Sequence, residues 1–252
     1  MDPSDPDRPY SEPIWHPIQA YLAQLMERLP ERPRAMLIVS GHWEEPVFTV
    51  HKGDQPSLLF DYYGFPPHTY QLRWDAPGEP AVAARTAELL SQAGFPVAEE
   101  SERGWDHGVF IPMKVAGPQA DIPVVQLSLR EDLDPAAHIA AGRVLEPLRD
   151  EGVVIIGSGM SFHNMRVRDS EARTPSLLWD DALTEAVTEA DPDQRAARVS
   201  AWETLPEARF AHPREEHLLP LMVALGAGGD DAATVDHHSH VRGWPISAYR
   251  FG

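Results

Sequence analysis

Cysteine is absent from this 252-residue chain. That excludes disulfides, thiolate-held metals and thiol nucleophiles, so any metal must be held by His, Asp or Glu. Basic residues are scarce beside acidic ones, 21 Lys and Arg against 39 Asp and Glu, giving a formal net charge of −18. Such a balance opposes binding to nucleic acid or to anionic membranes and favours solubility. Long apolar runs are also missing: Val153-Val154-Ile155-Ile156 and the stretch Leu218 to Leu225 both fall short of a membrane span. The acidic start, Met-Asp-Pro-Ser-Asp-Pro-Asp, has no apolar segment of the secretory kind, and the cytoplasm is the expected compartment. There is no internal repeat, Walker loop, G-x-G-x-x-G turn or His-Glu-x-x-His helix. Gly157-Ser158-Gly159-Met160-Ser161 fails as a nucleophile elbow, because Gly159 stands where the serine is needed.

What the chain does contain is strand and helix in alternation. Met36-Leu37-Ile38-Val39, followed at once by Ser40-Gly41-His42-Trp43-Glu44-Glu45, predicts a strand buried on both faces with a sharp turn at Gly41. Val47 to Val50, Ile122 to Leu129 and Gly152 to Gly157 predict further strands, and strands near 233–237 and 245–251 close the chain. Residues 1–13 are rich in Pro and Asp and are expected to be irregular. Apolar spacing from Ile14 to Leu29 predicts a helix with one buried face, with His16 exposed ahead of it. Pro80 to Ala93 and Asp134 to about Asp150 have helical starts, and 176–209 predicts two helices broken at Asp191-Pro192. Residues 53–79 carry aromatics without periodicity, the pattern of an ordered loop that lines a site or forms a lid. The architecture expected is one α/β domain over 1–252, with a mostly parallel central sheet and helices on both faces.

Four histidines sit where such a sheet presents its chemistry. His42 and His163 each follow a strand, His107 lies in a Gly-flanked segment read as a loop, and His217 falls in the expected first turn of a late helix. One such histidine is ordinarily a polar loop residue. Four at element ends in a single domain predict a shared metal site built from neutral imidazoles. His237-His238-Ser239-His240 reads instead as a polar turn before the last strand. Trp43, Tyr62, Phe65, Trp105 and Phe110 fit either an aromatic pocket wall or plain core.

Six segments, in order, carry a resemblance. They are Ser40-Gly41-His42-Trp43-Glu44-Glu45, Asp61-Tyr62-Tyr63-Gly64-Phe65-Pro66, Asp106-His107-Gly108, Gly157 to Asn164, Glu215-Glu216-His217-Leu218-Leu219-Pro220 and Tyr249-Arg250-Phe251-Gly252. Together they resemble the DODA-type, LigB-like (class III) extradiol ring-cleaving dioxygenases. The resemblance implies a mononuclear non-heme Fe(II) held by three protein ligands, with Zn(II) often present in purified protein. It implies His42 and His217 as metal ligands, His163 as the acid/base histidine, and His107 as a residue contacting substrate or oxygen. The implied partners are a small catechol and O₂, with no nucleic acid and no membrane, and a homo-oligomer is left open.

One departure stands out. Members of the family begin with a strand ending in His-Gly, whose histidine is the first metal ligand, whereas this chain opens at Met1-Asp2-Pro3 without it. His16 lacks a following Gly and precedes a helix, so it is a poor substitute. Two further readings stay open beside the dioxygenase. One is a metal- or aromatic-binding protein on the same scaffold without turnover. The other is a zinc hydrolase using the acidic residues near His42 as its base.

Overall fold

The structure is a computed structural model, and it describes residues 13–167 and 169–252. The irregular segment expected at the N-terminus lies, apart from Pro13, outside the described residues. Strands are β1 (Ala35–Glu45), β2 (Phe48–His51), β3 (Val97–Glu100), β4 (Val124–Arg130), β5 (Val153–Ser158), β6 (Ala233–Val241) and β7 (Trp244–Phe251). Helices are α1 (His16–Ala23), α2 (Pro80–Gln92), α3 (His107–Ala116), α4 (Pro135–Leu145), α5 (Pro147–Asp150), α6 (Asp169–Val187), α7 (Pro192–Ser200), α8 (Ala208–Ala211) and α9 (Leu219–Ala227). The main sheet has the order β3-β2-β4-β1-β5 and is parallel except where β2 meets β4. β6 and β7 form a separate antiparallel hairpin.

β1 is the apolar centre of this sheet because both of its faces have a core to fill. Leu37 and Val39 belong to one buried cluster with Ile139, Leu183 and Val223, while Met36 and Ile38 belong to another with Trp105, Val109 and Phe110. Each such side chain contributes about 1.5–3 kcal/mol through its burial. The predicted helix starts appear where Asp or Glu precedes Pro: Glu79 and Asp134 accept main-chain N–H groups at the heads of α2 and α4. Asp191 does the same for α7, which confirms the expected break before Pro192. The helix expected to run to Asp150 divides at Glu146-Pro147 into α4 and α5.

Several local expectations need correction. Gly41 is no turn: β1 continues through it to Glu45. His107 is the first residue of α3 rather than a loop residue, and His217 lies two residues ahead of α9 rather than within its first turn. The run His237 to His240 belongs to β6, and the turn follows at Arg242-Gly243, both with positive φ, the backbone of a two-residue hairpin. Finally, Val154, Ile155 and Ile156 are only half-buried, because β5 is the sheet's edge and borders a cavity of about 1100 Å³. The face presented by Ile18, Tyr21, Leu22, Leu25 and Met26 is likewise half-buried against that cavity, and α1 ends at Ala23. No helix among the described residues is long and apolar enough to cross a membrane.

Candidate active site

His42 reaches its position through a bulge in β1. From Val39 to Glu44 this strand advances five residues while β4 advances two, so Ser40 to Trp43 leave the β4 ladder. Bulges of this kind re-aim side chains beside functional sites. The bulged segment is then fixed from several sides. Ser40 Oγ donates to Asp106 Oδ1 at 2.8 Å, the His42 amide donates to Ser40 Oγ at 3.2 Å, and Arg103 donates to the His42 carbonyl at 3.2 Å.

Asp106 is the knot of this arrangement. Fully buried, it caps α3 through the Val109 amide at 3.2 Å and also accepts from Ser40, Arg103 and Gln126. It thereby ties β1 and β4 to the head of α3, where His107 begins the helix. Gly108 follows because a side chain there would collide with Ser40 Oγ. Gly41 has a similar reason: a Cβ would stand 2.8 Å from the Glu216 carbonyl. Its job is close approach between β1 and the 213–218 turn, not bending of the strand.

All four sequence-predicted histidines come together here. His42 Nε2 and His217 Nε2 lie 3.3 Å apart. The His107 ring lies 3.9 Å from that of His42, centroid to centroid, and the His163 ring is stacked 3.5 Å from that of His217. His163 is held by its own amide, which donates to the Ala211 carbonyl at 3.1 Å. His16 is exposed and belongs to neither group of clustered donor residues.

Two carboxylates that sequence reading left without a role complete the cluster. Asp61 Oδ1 lies 2.7 Å from His107 Nδ1, and Glu216 Oε1 lies 2.9 Å from His217 Nδ1. Burial alone would raise both carboxyls. Hydrogen bonds outweigh it, from the His107 ring and amide at Asp61 and from the His217 ring at Glu216, so both are lowered, Glu216 to about 2. Burial followed by neighbouring imidazoles lowers His42 to about 3, and burial followed by His217 lowers His163 to about 4. Both rings are therefore neutral at physiological pH, the form in which imidazole binds a metal.

The donors suit a cation. Ring nitrogens bound to one tetrahedral ion at about 2.0–2.1 Å stand about 3.3–3.4 Å apart, the separation seen between His42 and His217. With Nδ1–H of His217 given to Glu216, its Nε2 carries a lone pair that faces another ring nitrogen and needs a shared proton or cation. His42, Asp61 and His107 form one set of close donor atoms, and His163, Glu216 and His217 form another.

The acidic residues beside His42 are engaged elsewhere. Glu44 is gripped by both terminal nitrogens of Arg214, and Glu45 accepts from Trp43 Nε1 at 2.8 Å. Neither is a free base for the hydrolase reading, which named them. Of the aromatics, Trp43, Trp105 and Phe110 are buried core. Tyr62 stands edge-on to the His107 ring at 5.6 Å, and Phe65 is 55% exposed. The cavity beside the histidines has ample room for a single aromatic ring.

Comparison with known proteins adds an independent line. A family model described as the catalytic LigB subunit of aromatic ring-opening dioxygenase matches residues 2–252. The dioxygenase tasH of Hapsidospora irregularis is 38% identical over 238 residues, which span 88% of this chain and 72% of that one. A 4,5-DOPA dioxygenase extradiol of Beta vulgaris is 38% identical over 230 residues, 88% of this chain and 84% of its own. Among solved structures, an uncharacterized protein from Escherichia coli K12 matches with a TM-score of 0.78 at 28% identity, covering 93% of this chain and 92% of that chain.

Proposed function

The chain belongs to the LigB family of aromatic ring-opening dioxygenases, and from that premise we propose that it cleaves a catecholic ring beside its diol with O₂, using a non-heme Fe(II) centre. The observation that carries this reading is the meeting of His42 Nε2 and His217 Nε2 at 3.3 Å, with the His107 ring tilted against His42 and the His163 ring stacked on His217. His42 and His217 would hold the metal, and Zn(II) fits the same imidazoles as an occupant of purified protein. Fe(II), when bound, supplies chelation of the diol and a path for electrons from the ring to O₂.

The protein's own groups then handle protons and orientation. His163, neutral and lowered to about 4, accepts a proton from the catechol. His107 contacts substrate or oxygen from the opposite side of the pair and, with His163, returns a proton as the ring opens. Residues 1–252 act as one dioxygenase unit, the product is a semialdehyde acid, and the cytoplasm is the proposed compartment.

Anaerobic loading with Fe(II), followed by oxygen uptake against a panel of catechols, tests the reading. Uptake with a coloured semialdehyde product is expected. Absence of uptake with every catechol, at full metal loading, contradicts it. A second reading, a metal- and aromatic-binding protein without turnover, has one observation in its favour: among the described residues only two imidazoles face each other nitrogen to nitrogen at the centre. Calorimetric titration with Fe(II), Zn(II) and a catechol, run beside the oxygen assay, separates binding alone from turnover.

A further inference from the structure

The long loop at 53–79 contributes one charged group to the histidine cluster. Asp61 Oδ1 accepts two hydrogen bonds from the same residue, one from the His107 amide at 3.0 Å and one from its ring Nδ1 at 2.7 Å. We propose that Asp61 is the positioning residue for His107, a two-point clamp that fixes the ring and leaves Nε2 as its one nitrogen open to substrate or oxygen. This rests on the dioxygenase reading of the site.

A carboxylate oxygen that bridges the main-chain and ring N–H groups of one histidine restricts both side-chain torsions at once. It also selects the tautomer: with the proton on Nδ1, the neutral ring has its lone pair on Nε2. The clamp works only if the loop is itself held, and it is. Leu59 donates to the Trp105 carbonyl at 2.7 Å, Trp105 donates to Ser57 at 2.8 Å, and Asp61 donates to Leu59 at 3.0 Å. Beyond Asp61, the Tyr62 hydroxyl donates to the Thr69 carbonyl at 2.6 Å, and its ring stands edge-on to His107. The chain just before His107 and the loop bearing Asp61 are thus paired directly. The competing role for Asp61 is that of a metal ligand, since its carboxylate lies close to donor nitrogens of His42 and His107. Both N–H contacts converge on Oδ1, which accounts for the clamp, and the metal content of the variants separates it from ligation through Oδ2.

Two variants separate these roles. In Asp61→Asn the amide oxygen still accepts both N–H groups, whereas in Asp61→Ala nothing does. Ring-nitrogen NMR of the full metal-free chain is expected to show His107 protonated at Nδ1 in the unmutated protein and in Asp61→Asn, with that signature lost in Asp61→Ala. After Fe(II) loading, Asp61→Ala should lower kcat by about 10–100-fold with KM within about twofold, and Asp61→Asn should recover most of the loss. Metal content should stay unchanged in both variants. A His107 proton on Nε2 in the unmutated protein, loss of metal from the variants, or an undiminished kcat in Asp61→Ala would each overturn the proposal. Should Asp61→Ala not fold, the unmutated spectrum and Asp61→Asn still decide. Absence of catechol turnover in the unmutated chain would count against the dioxygenase reading alone, because the tautomer is read without metal.

Discussion

An imidazole buried beside other imidazoles gives up its proton well below its ordinary value of 6.5, and His42 and His163 do so at about 3 and about 4. Both bind a proton more readily in the unfolded chain, so their contribution to stability is complete above pH 6.5 and is lost as pH falls toward those lower values. Glu216 acts in the same direction in a lower window, contributing above 4.5 and losing its contribution toward about 2. The metal-free protein should therefore lose stability between about pH 7 and pH 5, on the order of 2 kcal/mol for each of these two histidines. Calorimetry should show Tm falling across that range, and a flat or rising Tm would contradict it. The four histidines were legible in the sequence because imidazoles at element ends are uncommon and each sits in a distinctive motif. Asp61, Asp106 and Glu216 were not, since acidic residues abound in this chain and only the fold shows which ones face a ring or a helix head.

The elements repeat the lesson in another form. Apolar runs and Asp-Pro or Glu-Pro starts located β1, β4, β5, α2, α4 and α7, because burial and capping act over a few adjacent residues. What sequence reading mistook depends on partners distant in the chain. Gly41 suggested a turn, but it serves the approach of Glu216, 175 residues away, which no local pattern encodes. His237 to His240 suggested a turn because the residues are polar, yet the hairpin half-exposes β6 and accommodates them. Gly41→Ala should force the β1 bulge away from the 213–218 turn and separate His42 from His217. The expected result is metal affinity reduced by about tenfold or more, together with a stability loss of about 1–3 kcal/mol. Unchanged metal affinity in a folded Gly41→Ala protein would show that the close approach is not what sets the pair. Arg214→Ala, by contrast, removes a half-exposed grip on Glu44 and should cost no more than about 1 kcal/mol in chemical denaturation.

At the scale of the whole molecule, two cores on opposite faces of one sheet hold its central strands, while the chemistry gathers where β1 and β5 meet the head of α3 and the turn before α9. The surface carries a formal charge of −18, and self-repulsion of that size weakens the compact state. Raising ionic strength from about 20 to about 200 mM should lift Tm by a few degrees as repulsion is screened, and a fall in Tm would contradict this. Under the proposed function, the β1 bulge and the turn before α9 offer a single cation their facing nitrogens. Elemental analysis of metal-loaded protein after dialysis tests it most directly. About one ion per chain is expected in the unmutated protein and in His107→Ala and His163→Ala, falling to roughly a tenth or less in His42→Ala and in His217→Ala. Retention of the full complement by either of the latter two variants would contradict it.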